Sequence, residues 1–198
     1  MSDTSSNPPA PFNATIDVLI VGDGPGGLSA ALFLAKNGLR TVVVGRDETA
    51  MHWAMLYNYL GVPDITGSDF QKVARAQAER HGATLVAARV DGIDGEAGAF
   101  AATLDDGGRI QARYVILSEG KAPVLAGRLG LALDGDRIAV NHEGLSSVAN
   151  VYAVGRMVRP GRSQAIISAG DGAAAAIDIL AREKGKDRFA DWDSPPQA

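Results

Sequence analysis

The chain has 198 residues, 46% of them hydrophobic, enough for one core of its own, so one domain is expected. A formal charge of -4 leaves no positive footprint for nucleic acid or an anionic membrane surface, and a small-molecule ligand is the expected partner. The chain contains no cysteine, which excludes disulfides, thiolate metal sites and dithiol catalysis by its own side chains, and no metal site is expected.

Met1 to Asn13 is rich in Ser, Pro and Asn without a basic start or an apolar run, so residues 1–14 are read as a flexible tail and not as a signal peptide. Val18 to Val21 is a β-branched and aliphatic run, the pattern of a strand buried on both faces of a parallel sheet. After a glycine cluster, Leu28 to Lys36 reads as a helix closed by Asn37-Gly38, and Thr41 to Val44 as a second buried strand. Ser68-Asp-Phe-Gln71 has capping-box spacing, and Phe70, Val73, Ala74 and Ala78 would share the buried face of the helix that follows, up to His81-Gly82. From Thr84 to Leu117 short strands broken by Asp94-Gly95 and Asp105-Asp-Gly-Gly108 suggest an antiparallel meander with Tyr114 to Leu117 as its return strand. Leu129 to Val140 reads as a hairpin about Asp134-Gly-Asp-Arg137, and Val151 to Val154 as another buried strand. A long Ala-rich helix covers roughly Gln164 to Arg182, and residues 185–198 are read as a second flexible tail, leaving one domain over 15–184. No apolar stretch approaches the roughly 20 residues of a membrane span, so a cytoplasmic location and no membrane partner are expected.

Gly22-Asp-Gly24-Pro25-Gly26-Gly27 matches G-x-G-x-x-G at the junction of a predicted strand and helix, the context that gives this pattern meaning. The first glycine permits a tight turn, the second lets the backbone approach a pyrophosphate, and the third lets helix and strand pack closely. The helix N-terminus then offers unpaired amides and a positive dipole end to the anion. An acid about 20 residues further on would take the ribose hydroxyls. Gly45 occupies that position, so either Asp47 supplies the contact from a shifted place or the backbone does, and Arg46 is free to be solvated.

Asn58-Tyr-Leu-Gly-Val-Pro-Asp-Ile-Thr-Gly67, followed by Ala76-Gln-Ala-Glu-Arg-His-Gly82, resembles the FAD domain of low-molecular-weight thioredoxin reductases. Tyr152-Ala-Val-Gly-Arg156 resembles that family's second flavin motif, F-A-A-G-D, and Arg162-Ser-Gln-Ala-Ile-Ile-Ser-Ala-Gly-Asp-Gly172 resembles its R-Q-A-I-T-S-A-G-T-G helix start. Ser118-Glu-Gly120 is similar to its A-T-G turn. The resemblance implies an α/β fold: a Rossmann-like FAD-binding domain with a central parallel sheet, helices and a small antiparallel β-meander. It also implies that Gly22 to Gly27 hold the pyrophosphate of FAD, that Asn58 reaches toward the flavin, that backbone at Val90 meets adenine, that Gly120 and Gly155 belong to the flavin turns, and that Gln164 and Ala165 face the isoalloxazine. A homodimer is implied as well. Gly170 and Gly172 would either approach the ligand or let the helix sit against its neighbours.

In that family an NADPH-binding domain lies between the A-T-G turn and the second flavin motif. Here positions 121–154 supply 34 residues, and a βαβ unit alone needs ~30. The family's C-x-x-C resides in the same domain. The expected function is therefore a single-domain FAD flavoprotein, an oxidoreductase module reduced by a partner protein or a small-molecule donor. A non-catalytic flavin-binding or sensor protein is the alternative, as is a nucleotide-binding domain that has lost flavin. Arg156 stands where the family has an aspartate, and it would either clamp the ligand's phosphates or turn outward to solvent. Met51 to Tyr59 is bulkier than the corresponding loop of the family and would shield one face of the flavin. His52 within it is the candidate proton relay, or else a packing residue. Trp192 would fold over the flavin or belong to an unstructured tail.

Overall fold

The computed structural model describes residues 14–194. Strand β1, Ile16–Val21, lies at the centre of the sheet because nearly every residue in it is apolar and both its faces are covered. It pairs in parallel with β2, Thr41–Val44, on one side and with β8, Arg109–Leu117, on the other, setting Val21 beside both Val44 and Leu117. Strand β5, Thr84–Val86, extends the sheet beyond β2, and β11, Val151–Ala153, pairs in parallel with the second half of β8. The first half of β8 instead continues into an antiparallel meander with β7, Ala99–Leu104, and β6, Val90–Glu96. This is the expected α/β architecture of a central parallel sheet with a small meander.

Alternation along β1 divides the core into two layers. Val18 and Ile20 point under helix α1, Pro25–Lys36, and helix α4, Ala165–Glu183, with Leu34, Ala176 and Ile179. Leu19 and Val21 point the other way, into a cluster with Phe100, Ile110 and Leu125. The two helices touch through small residues, and a Cβ placed on Gly172 would overlap the carbonyl oxygen of Gly26. Far along α4, Tyr152 donates a hydrogen bond to Asp178, and Tyr114 donates one to Glu183 at 2.9 Å. Burial, reinforced by these carboxylates, pushes the Tyr114 hydroxyl up to about 12 and holds Tyr152 well above the ordinary tyrosine range. Arg113 pairs with both Glu183 and Asp17, fastening the end of α4 to the sheet.

Helix α2, Gly67–Arg80, differs from the sequence expectation in its cap and its face. Thr66, not Ser68, is the N-cap, accepting from the Asp69 amide at 3.1 Å. Gln71 is fully buried and donates to the Asp23 carbonyl, whereas Val73, expected inside, is 59% exposed. A short hairpin pairs β3, Met55–Leu56, with β4, Ile65–Thr66, in a stretch read from sequence as loop. Between Gly120 and Gly155 the chain forms the five-residue helix α3, Val124–Arg128, and the expected hairpin, here β9, Leu133–Asp134, with β10, Arg137–Ile138.

Of the two stretches read as flexible tails, residues 1–13 and 195–198 lie outside the described residues. The described part of the second follows α4 back along the helix layer, with Phe189 against the core and Asp191 bonded to Lys36 at 2.8 Å. Among the described residues no helix is long and apolar enough to cross a membrane.

The helix crossing yields a contrast between two glycines on α4. Gly172→Ala is expected to lower unfolding stability by ~1–3 kcal/mol, because its methyl group would force the helices apart. Gly170→Ala, with open space at its Cβ, is expected to be neutral or stabilising by up to ~1 kcal/mol. Urea denaturation of both variants measures the difference.

Candidate functional site

A cleft of ≈ 1080 Å³ opens along the carboxyl ends of the parallel strands. Its floor is the turn after β1, the ends of β2 and β8, and the turn after β11. This is where strand order reverses about β1, the position at which open parallel sheets bind ligands. Gly22 has φ +101°, and a Cβ there would overlap the Ser118 carbonyl oxygen, so the turn admits glycine alone. The turn feeds α1 directly, with Gly24 as N-cap and Pro25 at its first position.

Two long helices begin at this cleft, and neither begins with a side-chain cap. Gly24 has no side chain to offer α1, and Gln164, at the N-cap of α4, does not cap it. Helix α2, which starts elsewhere, is capped by Thr66. Free amides and positive dipole ends therefore converge from two directions on one cleft, with no acid in the first turn of either helix. Arg156 lines the same cleft, half-buried and without an acidic partner among the described residues. Arg46 and Arg89, also in the lining, are paired with Asp105 and Asp91.

Of the residues singled out from the sequence, Gly22, Gly24, Pro25, Gly26, Val90, Gly120, Gly155, Arg156, Gln164 and Ala165 line this cleft together. Gly27 sits behind it, where a Cβ would overlap the Gly22 carbonyl, so it serves packing of helix on strand. Asn58 is outside the lining but donates to Gln164 Oε1 at 3.1 Å, holding that side chain at the cleft mouth.

Asp47 and His52 do not reach the cleft, and each has a physical reason. Asp47 adopts φ +57° and carries its Oδ1 to 3.2 Å from His52 Nε2, away from the ligand side. His52 Nε2 lies 2.7 Å from the Asp47 carbonyl oxygen, which can only accept, so Nε2 carries a proton, and Nδ1 is hydrogen-bonded to the Ser68 hydroxyl at 2.9 Å. Both ring nitrogens are thus spent tying the loop after β2 to α2, and the proton-relay expectation is replaced by a structural one. The shielding expected of residues 51–59 is also corrected. Only Met51 lines the cleft, while Trp53 and Tyr57 face solvent. Trp192 is likewise exposed and lies outside the lining.

Asp23, Ser118, Glu119 and Ser168 fall inside the motifs read from the sequence without a role of their own there, and all four line the cleft. Glu119 accepts from the Leu125 and Ala126 amides at 2.8 and 3.0 Å, supplying the cap of α3. Burial raises its carboxyl above the usual glutamate range, and those amides oppose the shift. Among the described residues, no group of three or more His, Asp or Glu side chains is placed to hold a metal ion.

Residues 60–173 match the family model described as Pyridine nucleotide-disulphide oxidoreductase, and residues 15–53 match one described as FAD binding domain. The chain belongs to the pyridine nucleotide-disulphide oxidoreductase family. Within that family setting it is 32% identical over 108 residues to a thioredoxin reductase of Aquifex aeolicus, covering 52% of this chain and 33% of that protein. It is 29% identical over 167 residues to the F component of alkyl hydroperoxide reductase in Staphylococcus aureus, covering 82% of this chain and 31% of the relative. The chain therefore spans about a third of the length of these relatives. Its fold matches a thioredoxin reductase structure from Gloeobacter violaceus with a TM-score of 0.80 at 18% identity, covering 90% of this chain and 99% of that one. Both the glycine turn and the start of α4 belong to this oxidoreductase fold. The cleft they form fits FAD in size and in its two cation-like helix ends.

His52→Ala is expected to lower stability by about 1 kcal/mol, through the loss of its two hydrogen bonds, and to leave flavin retention unchanged. Thermal unfolding and flavin titration of one preparation separate the two effects.

Proposed function

We propose that this chain is an FAD-dependent oxidoreductase module of the thioredoxin reductase type whose flavin receives electrons from a separate protein or a diffusing donor. The carrying observation is the meeting, in one cleft, of two uncapped helix N-termini and Arg156, which has no acidic partner among the described residues. When bound, FAD supplies an isoalloxazine that accepts and returns electrons. In this reading the amides of the Gly22–Gly27 turn bind the pyrophosphate, and Arg156 adds a clamp to its phosphates. Gln164, positioned by Asn58, and the first amides of α4 stabilise negative charge at the pyrimidine end of the reduced ring. Backbone at Val90 borders the adenine.

The separate donor is supported by residues 121–154, where a short helix and a hairpin occupy the stretch that holds a nicotinamide domain in the resembling family, and by the lack of cysteine. A homodimer belongs to the same proposal, with the exposed Trp53, Tyr57 and Leu60 as available apolar surface. One observation favours a second reading, a non-catalytic flavin-binding or sensor protein. His52 faces away from the cleft, so the proton relay named from the sequence is absent from it.

Purified protein is expected to be yellow and to bleach slowly or not at all with NADH or NADPH under anaerobic conditions. Photoreduction followed by oxygen should bleach it and restore the colour. A colourless preparation that rejects added FAD overturns the flavoprotein reading, and rapid stoichiometric bleaching by NADPH overturns the separate donor. In the same assay Arg156→Asp is expected to weaken FAD retention by roughly one to two decades, as loss of a charged hydrogen bond requires. Equal or tighter retention would place Arg156 outside the phosphate contacts.

A further inference from the structure

The unusual glycine at the end of β2 has a structural cause. A Cβ built on Gly45 would lie 2.5 Å from Asp23 Cγ and 2.6 Å from its Oδ1. The space that the first atoms of a strand-end acid would occupy is already filled by the carboxylate of Asp23, which reaches across from the glycine turn. The ends of β1 and β2 run side by side up to this point, with Gly22 N donating to the Val44 carbonyl at 2.9 Å.

Asp23 is only 5% exposed and is firmly held. Its Oδ2 pairs with Arg75 and accepts from the Asp47 amide at 2.9 Å, and its carbonyl accepts from the buried Gln71. Its Oδ1 has no hydrogen-bond donor among the described residues, and Asp23 lines the cleft beside Gly45 and Gly24. A carboxylate oxygen at the wall of the cleft with no protein donor is left to accept from a ligand or from water. Asp47, in contrast, carries its Oδ1 to 3.2 Å from His52 Nε2 and is outside the cleft lining.

We propose that Asp23 has taken over the task of the missing acid at position 45 and accepts a hydrogen bond from a ribose hydroxyl on the adenosine half of the bound dinucleotide. The inference rests on the FAD reading above and adds a residue to it. Two positions have exchanged roles: the acid stands in the turn, and the glycine that makes room for it stands at the strand end. Arg75 and the Asp47 amide fix the carboxylate before ligand arrives, so its acceptor is preorganised.

The test compares dissociation constants, by quenching of flavin fluorescence, for FAD and for FAD lacking the 2′-hydroxyl of its adenosine ribose. The unaltered chain is expected to bind the deoxy ligand roughly 10- to 100-fold more weakly, as loss of a hydrogen bond to a charged acceptor predicts. Asp23→Ala should reduce that discrimination to near unity. Asp23→Ala combined with Gly45→Glu should restore it, since the space vacated at one position admits the acid at the other. Asp23→Asn, which keeps the shape and the carbonyl oxygen, guards against failure of the alanine variant to fold and should discriminate less than the unaltered chain; melting curves report folding throughout. Discrimination that survives in the Asp23 variants, or that disappears in Asp47→Asn instead, overturns the proposal. An unaltered chain that binds FAD but not more tightly than its deoxy analogue overturns this inference alone. One that binds no flavin overturns the parent reading with it.

Discussion

The contact on which the remaining geometry depends is the crossing of α1 and α4 at Gly26 and Gly172. There the backbone of one helix lies against the backbone of the other, closer than any side chain would allow. Gly26 is the second residue of α1 and Gly172 lies two turns into α4, so the crossing holds the first half of α4 against the start of α1 and keeps both N-termini at the cleft. Had the crossing been set by leucines at ordinary interaxial separation, one helix end would recede from the turn after β1. The alanines that follow, Ala30 and Ala31 on α1 and Ala175 and Ala176 on α4, maintain the close approach and are fully buried.

The opposite end of α4 is governed by different forces. Arg113, Tyr114 and Tyr152 reach from the sheet to Glu183 and Asp178, so its last turns are held by hydrogen bonds and ion pairs, not by small-residue packing. Backbone proximity sets where the helix begins, and polar contacts fix its rotation about its axis. Fixing rotation matters at the start, because it determines whether Gln164 and Ser168 or their neighbours line the cleft.

Much of this arrangement is legible in the residues. Val18 to Val21 declares a buried strand by composition, and the glycine turn declares its purpose by falling between strand and helix. The long helix from Gln164 and the hairpin about Asp134 to Arg137 follow from local pattern as well. What escapes is set by pairs of residues distant in sequence. The glycine at 45 looks like a lost acid until Asp23 is seen filling its side-chain volume, 22 positions away. Gln71 resembles a capping partner because its spacing from Ser68 suits one, yet the Asp23 carbonyl draws it inside. His52 is conspicuous as a titratable group near the predicted ring, but Ser68 and the Asp47 carbonyl occupy both its nitrogens. A hint lies in the motif itself, where a charged residue between two glycines of a phosphate turn is poorly suited to an anion unless something neutralises it.

Leaving two long helices without caps has a thermodynamic consequence. Their terminal amides are donors that folding leaves for a ligand to satisfy, so part of the stability of the native state resides in whatever anion occupies the cleft. Saturation and folding are then linked by mass action, with each tenfold rise in free ligand above its dissociation constant worth about 1.4 kcal/mol. Survival of such a chain against proteolysis would rise and fall with the supply of its ligand, making abundance a readout of cofactor availability.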